Sequence, residues 1–329
     1  MKTEKKKNKG IFIIVKILVS FGVLALLFKN TDTELFIETI TSINPSFFVL
    51  AILVFISSQM ISTIRWSLLL KCGGIKLPYL RLLALYFIGM FFNNFLPTAI
   101  GGDAVKGYYL YKTTGKGGTS IASIFVDRYI GFASLVLLAF IAFFLGYSYL
   151  KGTILVWLVL SFVFLFFAAS LFLWVDKLHS WALLVLNKIK ILKINEKVDI
   201  FYKALMSYKK YPKTLVIGLG ISLVLQTLNI LTFYVISIGL GFTIPLVFFF
   251  LFIPLALTVS MMPISLAGLG LREGAFVFLF AKVGVSSATA LSLSLTWFIV
   301  VVISSLFGCV EYLRMGKEIK LKEIEDMEG

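Results

Sequence analysis

Two stretches of this sequence set ionisable side chains beside proline and glycine: NNFLPTAIGGDAVKG, from Asn93 to Gly107, and SMMPISLAGLGLREG, from Ser260 to Gly274. Each runs from a proline through small or apolar residues to glycines, and then to an acid and a base. These are Pro97, Gly101, Gly102, Asp103 and Lys106 in the first, and Pro263, Gly268, Gly270, Arg272 and Glu273 in the second. A third stretch, SIFVDRYIGF, places Asp127 directly before Arg128. Backbone freed from a helix by proline and glycine must find polar partners, and a helix start with a basic side chain nearby can hold an anion such as phosphate. Arg272 and Lys106 are therefore candidate anion ligands, while Asp103, Glu273 and Asp127 would balance their charge when the site is empty. Arg128 and Asn94 are candidates for the same group. Interfacial anchoring of Arg128 and hydrogen bonding of broken backbone by Asn94 are the alternative roles. Mutual neutralisation that merely locks the two stretches together is the competing account of all these charges.

The segments that must position these residues are greasy. Of the 329 residues 60% are hydrophobic and 14% charged, against about a quarter charged in soluble domains. Several runs exceed the ~18 apolar residues that mark a membrane span. The composition thus specifies an all-α integral membrane protein. Full spans are expected at about 10–28, 46–66, 122–147, 153–175, 214–239 and 288–312. Five lysines precede the first span, and the second ends among Arg65, Lys71, Lys76 and Arg81. The last is followed by Arg314, Lys317, Lys320 and Lys322. Basic loops face the cytoplasm, so both termini are expected there. Lys16 and Glu311, toward span ends, are expected at the interface.

That leaves two apolar stretches too short to cross. The fifteen residues Leu82 to Leu96 reach ~22 Å as a helix, short of the ~30 Å hydrocarbon core. With basic residues at both ends, they and AVKGYYLYK describe a re-entrant hairpin entering from the cytoplasm, with Pro97 and the Gly101–Gly102 pair at its tip. The segment 245–283 must start and end outside and forms a second hairpin from the opposite face. Two similar units of opposite orientation read as an inverted repeat, a recurring transporter plan. Residues 1–9 are a basic cytoplasmic start, 10–312 the membrane domain and 313–329 a cytoplasmic tail. Within the domain, 176–213 is a basic loop with nine lysines whose WALLVLNKIKILKI stretch suits a surface helix, a plain solvated loop being the alternative.

Several function classes are excluded. The net charge of +15 sits between apolar runs without the interleaved stacking aromatics of a nucleic-acid surface. GLGLREG has the wrong spacing for a dinucleotide fingerprint, TTGKGGTS the wrong spacing for a phosphate loop, and no HExxH or GxSxG occurs. With Cys72, Cys309 and His179 scattered, neither a disulfide framework nor a metal site is indicated. No cofactor is implied. The first apolar run is too long for a signal peptide and lacks a cleavage site, so it is read as retained.

Taken in order, NNFLPTAIGGDAVKGYYL, SIFVDRYIGF and MPISLAGLGLREGAF resemble the membrane domain of lysylphosphatidylglycerol synthases, a flippase-like family. The resemblance extends over roughly residues 10–312. It implies movement of a lipid between leaflets. It carries over Asn94, Pro97, Gly101, Gly102, Asp103, Asp127, Arg128, Pro263, Gly268, Gly270, Arg272 and Glu273, with Asp127 where the family often has Glu. The sequence ends at Gly329, seventeen residues past the last span, with no segment for the soluble aminoacyl-transfer domain, so lysyl transfer is not expected of it. The expectation is a non-enzymatic, multi-pass lipid translocase in the cell membrane of a prokaryote. Its partners would be lipids with a phosphate head group, phospholipid or polyprenyl-phosphate-linked, and a pathway enzyme. A membrane-embedded lipid-modifying transferase, or a non-catalytic accessory subunit, is the alternative.

Overall fold

A computed structural model describes the backbone of residues 2–95, 101–174, 202–261, 265 and 268–328, and their side chains except at 2–15, 95, 172–174 and 316–328. Pro97, Pro263, His179 and most of the basic loop 176–213 lie outside the described residues.

Backbone in hydrocarbon must satisfy its own N–H and C=O groups, and a chain without strand pairing does so as helix. The described residues are accordingly helical nearly throughout. After α1 (Lys2–Lys29) comes the short α2 (Thr33–Thr41), started by Asp32, whose carboxylate accepts from the Leu35 N–H at 3.0 Å. Asn44 caps α3 (Pro45–Cys72) in the same way, with Pro45 in the first turn where its missing N–H is harmless. There follow α4 (Tyr79–Phe95), α5 (Gly101–Thr114), α6 (Gly117–Leu145), α7 (Tyr147–Leu150) and α8 (Ile154–Trp174). Beyond the basic loop lie α9 (Pro212–Gly239), α10 (Leu246–Ser260), α11 (Leu271–Ala281) and α12 (Ser287–Glu328).

Five helices are long and apolar enough to cross a bilayer: α3, α6, α8 over Ile154–Leu171, α9, and α12 over Ser287–Met315. They correspond to five of the six expected spans, and the sixth, 10–28, falls inside helix α1. The protein is an all-α, multi-pass membrane protein. The four shorter helices α4, α5, α10 and α11, of 17, 14, 15 and 11 residues, fall in the two stretches where short arms are expected. At ~1.5 Å per residue all four fall short of ~30 Å.

The packing has a regular plan. α3 and α9, each of 28 residues, lie along one another at the centre. The run α3, α4, α5, α6 then matches the run α9, α10, α11, α12 helix for helix. The arms α4 and α5 pack together, as do α10 and α11, and α5 lies on α6 as α11 lies on α12. Across the runs, α4 packs on α12 and α10 packs on α6. α8 stands outside this arrangement against α6, with Trp157, Phe164 and Leu165 exposed as lipid-facing residues would be. A stack of aromatic rings fills the α9–α11–α12 junction, with Phe233 4.8 Å from Trp297 and 5.3 Å from Phe276.

Candidate functional site

Where the two runs meet there is a cavity of about 310 Å³ to which all eight of their helices contribute side chains. Its lining combines charged and amide side chains with aromatic and aliphatic ones.

Most of the charged lining is built on the first run. α5 starts at Gly101, so Gly101 and Gly102 open this helix rather than forming the turn before it. The Gly102 N–H donates to the Asn93 side chain at 2.8 Å, replacing the helical partner it lacks. A side chain on Gly102 would run into the Gly89 carbonyl oxygen, so the hairpin arms touch backbone to backbone there. This crossing aims Asp103, in the first turn of α5, at Arg128 on α6: the guanidinium Nε donates to its carboxylate at 2.8 Å. Lys106, one turn on, stands 4.0 Å from the other oxygen of Asp103. Its ammonium lies 4.3 Å from the Trp66 ring and 4.4 Å from the Tyr86 ring, a cation held against two aromatic faces.

Asp127 does not pair with its neighbour Arg128. It accepts from Arg65 Nε at 2.8 Å, and Arg65 Nη1 donates to the Ser222 hydroxyl on α9 at 2.6 Å. The sequence pattern places Arg65 at the cytoplasmic end of a span finishing near residue 66. It is instead 3% exposed in the interior of a helix that continues to Cys72. The signal for this was present: SLLL follows Arg65–Trp66 and prolongs the apolar run past the charge. Nor does Arg128 snorkel to an interface, since it lines the cavity and its side chain is half-exposed there. Lys16, expected at an interface, is 2% exposed.

On the second run, Gly270 adopts a φ of +83°, which only glycine takes readily, and its N–H donates to Glu273 at 2.7 Å to start α11. Glu273 also accepts from Arg272 and from the Ser294 hydroxyl, the latter at 3.1 Å. The Arg272 guanidinium lies 5.2 Å from the Trp297 ring and 5.0 Å from the Phe298 ring. Arg272 lines the cavity but is 3% exposed and committed to its neighbour, while Glu273 is fully buried behind it. Gly268, with φ +82°, belongs to the turn before α11.

Of the expected site residues, Lys106, Arg128, Asn94, Asp103, Asp127 and Arg272 all line the one cavity, though they come from both runs. Asn94 donates to Ser305 on α12 at 3.0 Å, which ties the first hairpin to the second run. Gln226 donates to the Gly131 carbonyl and Asn229 to Gln226, each at 3.0 Å. Gln226 thus joins α9 to α6, while the Asn229 bond lies within α9. Phe55, Phe132, Leu135, Phe233 and Trp297 supply apolar lining.

Buried charge pairs around an amphipathic cavity, enclosed by matched helix runs, define a multi-pass membrane protein with a polar interior. The family described as the lysylphosphatidylglycerol synthase TM region matches residues 13–308, and the chain belongs to that family. A UPF0104 membrane protein of Methanocaldococcus jannaschii is 23% identical over 246 residues, which is 70% of this chain and 73% of that one. One from Methanothermobacter thermautotrophicus is 25% identical over 255 residues, 71% and 74% of the two chains. A third, from Pyrococcus horikoshii, is 34% identical over 100 residues, 30% of each.

Proposed function

We propose that the chain moves a lipid with a phosphate-bearing head group between the leaflets of the cell membrane. The observation that carries this reading is the cavity itself, lined both by charged and amide side chains and by aromatic and aliphatic ones. An amphiphile needs both surfaces, and a path for its head group through hydrocarbon must be polar. Arg128 is the exposed cation of the site and makes the first contact with phosphate. Arg272, paired with Glu273 and bonded to Ser294, lines the same cavity. The alternative of a lipid-modifying transferase would need a reacting group beside the bound lipid, and the alternative of an accessory subunit would leave the cavity without cargo.

The test is head-group-labelled lipid in vesicles containing only this purified protein. We expect translocation in the wild type and a loss of about tenfold or more in Arg128→Ala, the scale for a charge-assisted hydrogen bond. Absence of movement for every phospholipid and polyprenyl phosphate, with the fold intact, would sink the reading.

The matched helix runs support an inverted repeat, with hairpins entering from opposite faces and both termini in the cytoplasm. In that arrangement Lys116 and Gly241 lie on opposite sides of the membrane. Single cysteines at the two positions are expected to react with an impermeant reagent from opposite faces, and labelling of both from one face would overturn the topology.

A further inference from the structure

Among the described residues, four cations line the cavity, Arg65, Lys106, Arg128 and Arg272, and the carboxylates that balance them are Asp103 and Asp127 in the lining and Glu273 buried beside Arg272. Two of the cations each have a carboxylate of their own. Arg65 has Asp127 and Ser222, and Arg272 has Glu273 and Ser294. The other two share one acid, for Asp103 accepts from Arg128 at 2.8 Å and stands 4.0 Å from Lys106. That cluster is one negative charge short, and its uncompensated cation sits where an unpaired charge is unfavourable.

We infer that Lys106 and Arg128, with Asp103 between them, form the site for a monoanionic phosphoester, so that the lipid moved is net anionic rather than zwitterionic or aminoacylated. This rests on the translocase reading above and specifies its cargo. A phosphodiester supplies the missing charge and accepts hydrogen bonds from a guanidinium and an ammonium at once. The added ammonium of a zwitterionic or aminoacylated head group finds no place. The carboxylates are already engaged, and the Trp66 and Tyr86 faces that would receive a cation hold Lys106. Asp103 acts as a stand-in for the ligand, occupying Arg128 in the empty site, yielding it to the incoming phosphate, and reclaiming it as the lipid leaves.

That exchange gives Asp103 an effect of opposite sign on binding and on turnover. Binding to the purified chain in detergent would be measured with dioctanoyl phosphatidylglycerol, dioctanoyl phosphatidylethanolamine and the deacylated anionic head group, glycerophosphoglycerol. The anionic lipid is expected to bind at least about tenfold tighter than the zwitterionic one. Lys106→Met and Arg128→Gln should each weaken it by about tenfold, and Lys106→Arg should restore most of the loss. Asp103→Asn should bind it more tightly yet move it more slowly in vesicles, a split that loss of folding would not produce.

Equal or tighter binding of phosphatidylethanolamine overturns the inference, as does anionic-lipid binding that ignores Lys106→Met and Arg128→Gln, or no binding at all. Glycerophosphoglycerol binding as tightly as the whole lipid would keep the phosphoester site and overturn a lipid as its source. Anionic lipid that binds with the expected variant pattern but does not cross the vesicle leaves this site standing and removes the translocase reading. Lipids that cross regardless of head-group charge do the reverse.

Discussion

Asp127→Ala is expected to lower the stability of the folded protein by about 3–5 kcal/mol, the scale for removing one partner of a buried ion pair. The loss comes less from the bond that disappears than from what remains: Arg65, 3% exposed, would keep only the Ser222 hydroxyl. Arg65→Met should be similarly harmful, because Asp127 is then the stranded charge. The double variant should recover a large part of either loss, since neither charge is left unpaired. Unfolding in mixed micelles, followed by loss of helical signal, measures all four corners of that cycle. A double variant as unstable as the sum of the single ones would show that the pair is not coupled. The pair joins α3, α6 and, through Ser222, α9, so its loss loosens the contact between the two runs.

Gly102→Val should be at least as damaging. Even the first atom of a side chain at residue 102 would overlap the Gly89 carbonyl oxygen and come within 2.7 Å of the Asn93 N. Both neighbours are helix backbone and cannot swing aside, so the arms of the first hairpin must separate. Overpacking a well-filled core costs about 1–3 kcal/mol, and a backbone clash exceeds what side-chain repacking relieves. Separation would also pull Gly102 from Asn93 and move Asp103 away from Arg128. The yield of monodisperse protein and its melting temperature are the readouts. Gly220→Ala in α9, where an added side chain meets nothing within 4 Å, is the control and should be neutral or slightly stabilising. If Gly102→Val behaves like that control, the close crossing of α4 and α5 is not what holds the hairpin.

The sequence by itself determined the helical class, five spans and the two short-armed stretches, because these depend on the length of apolar runs and on proline and glycine, which act locally. It also singled out residues that meet in one cavity, since an ionisable side chain inside an apolar run is conspicuous wherever it folds. Span ends were less legible. Arg65 reads as a span end because a charge ordinarily means water, whereas a partner 62 residues away keeps it inside. Which acid holds which base was decided by the tertiary structure alone. Asp127 and Arg128 are adjacent in sequence, yet successive residues of a helix point in different directions, so one finds Arg65 and the other Asp103. Arg272 and Glu273, equally adjacent, do pair with each other, beside Gly270 at the start of α11. The aromatic seat of Lys106 and the contact of Gly89 with Gly102 likewise exist only once α3, α4 and α5 pack together. Patterns along a chain record how each residue relates to its own helix; the cavity's charge balance depends on distances between helices, which no single stretch encodes.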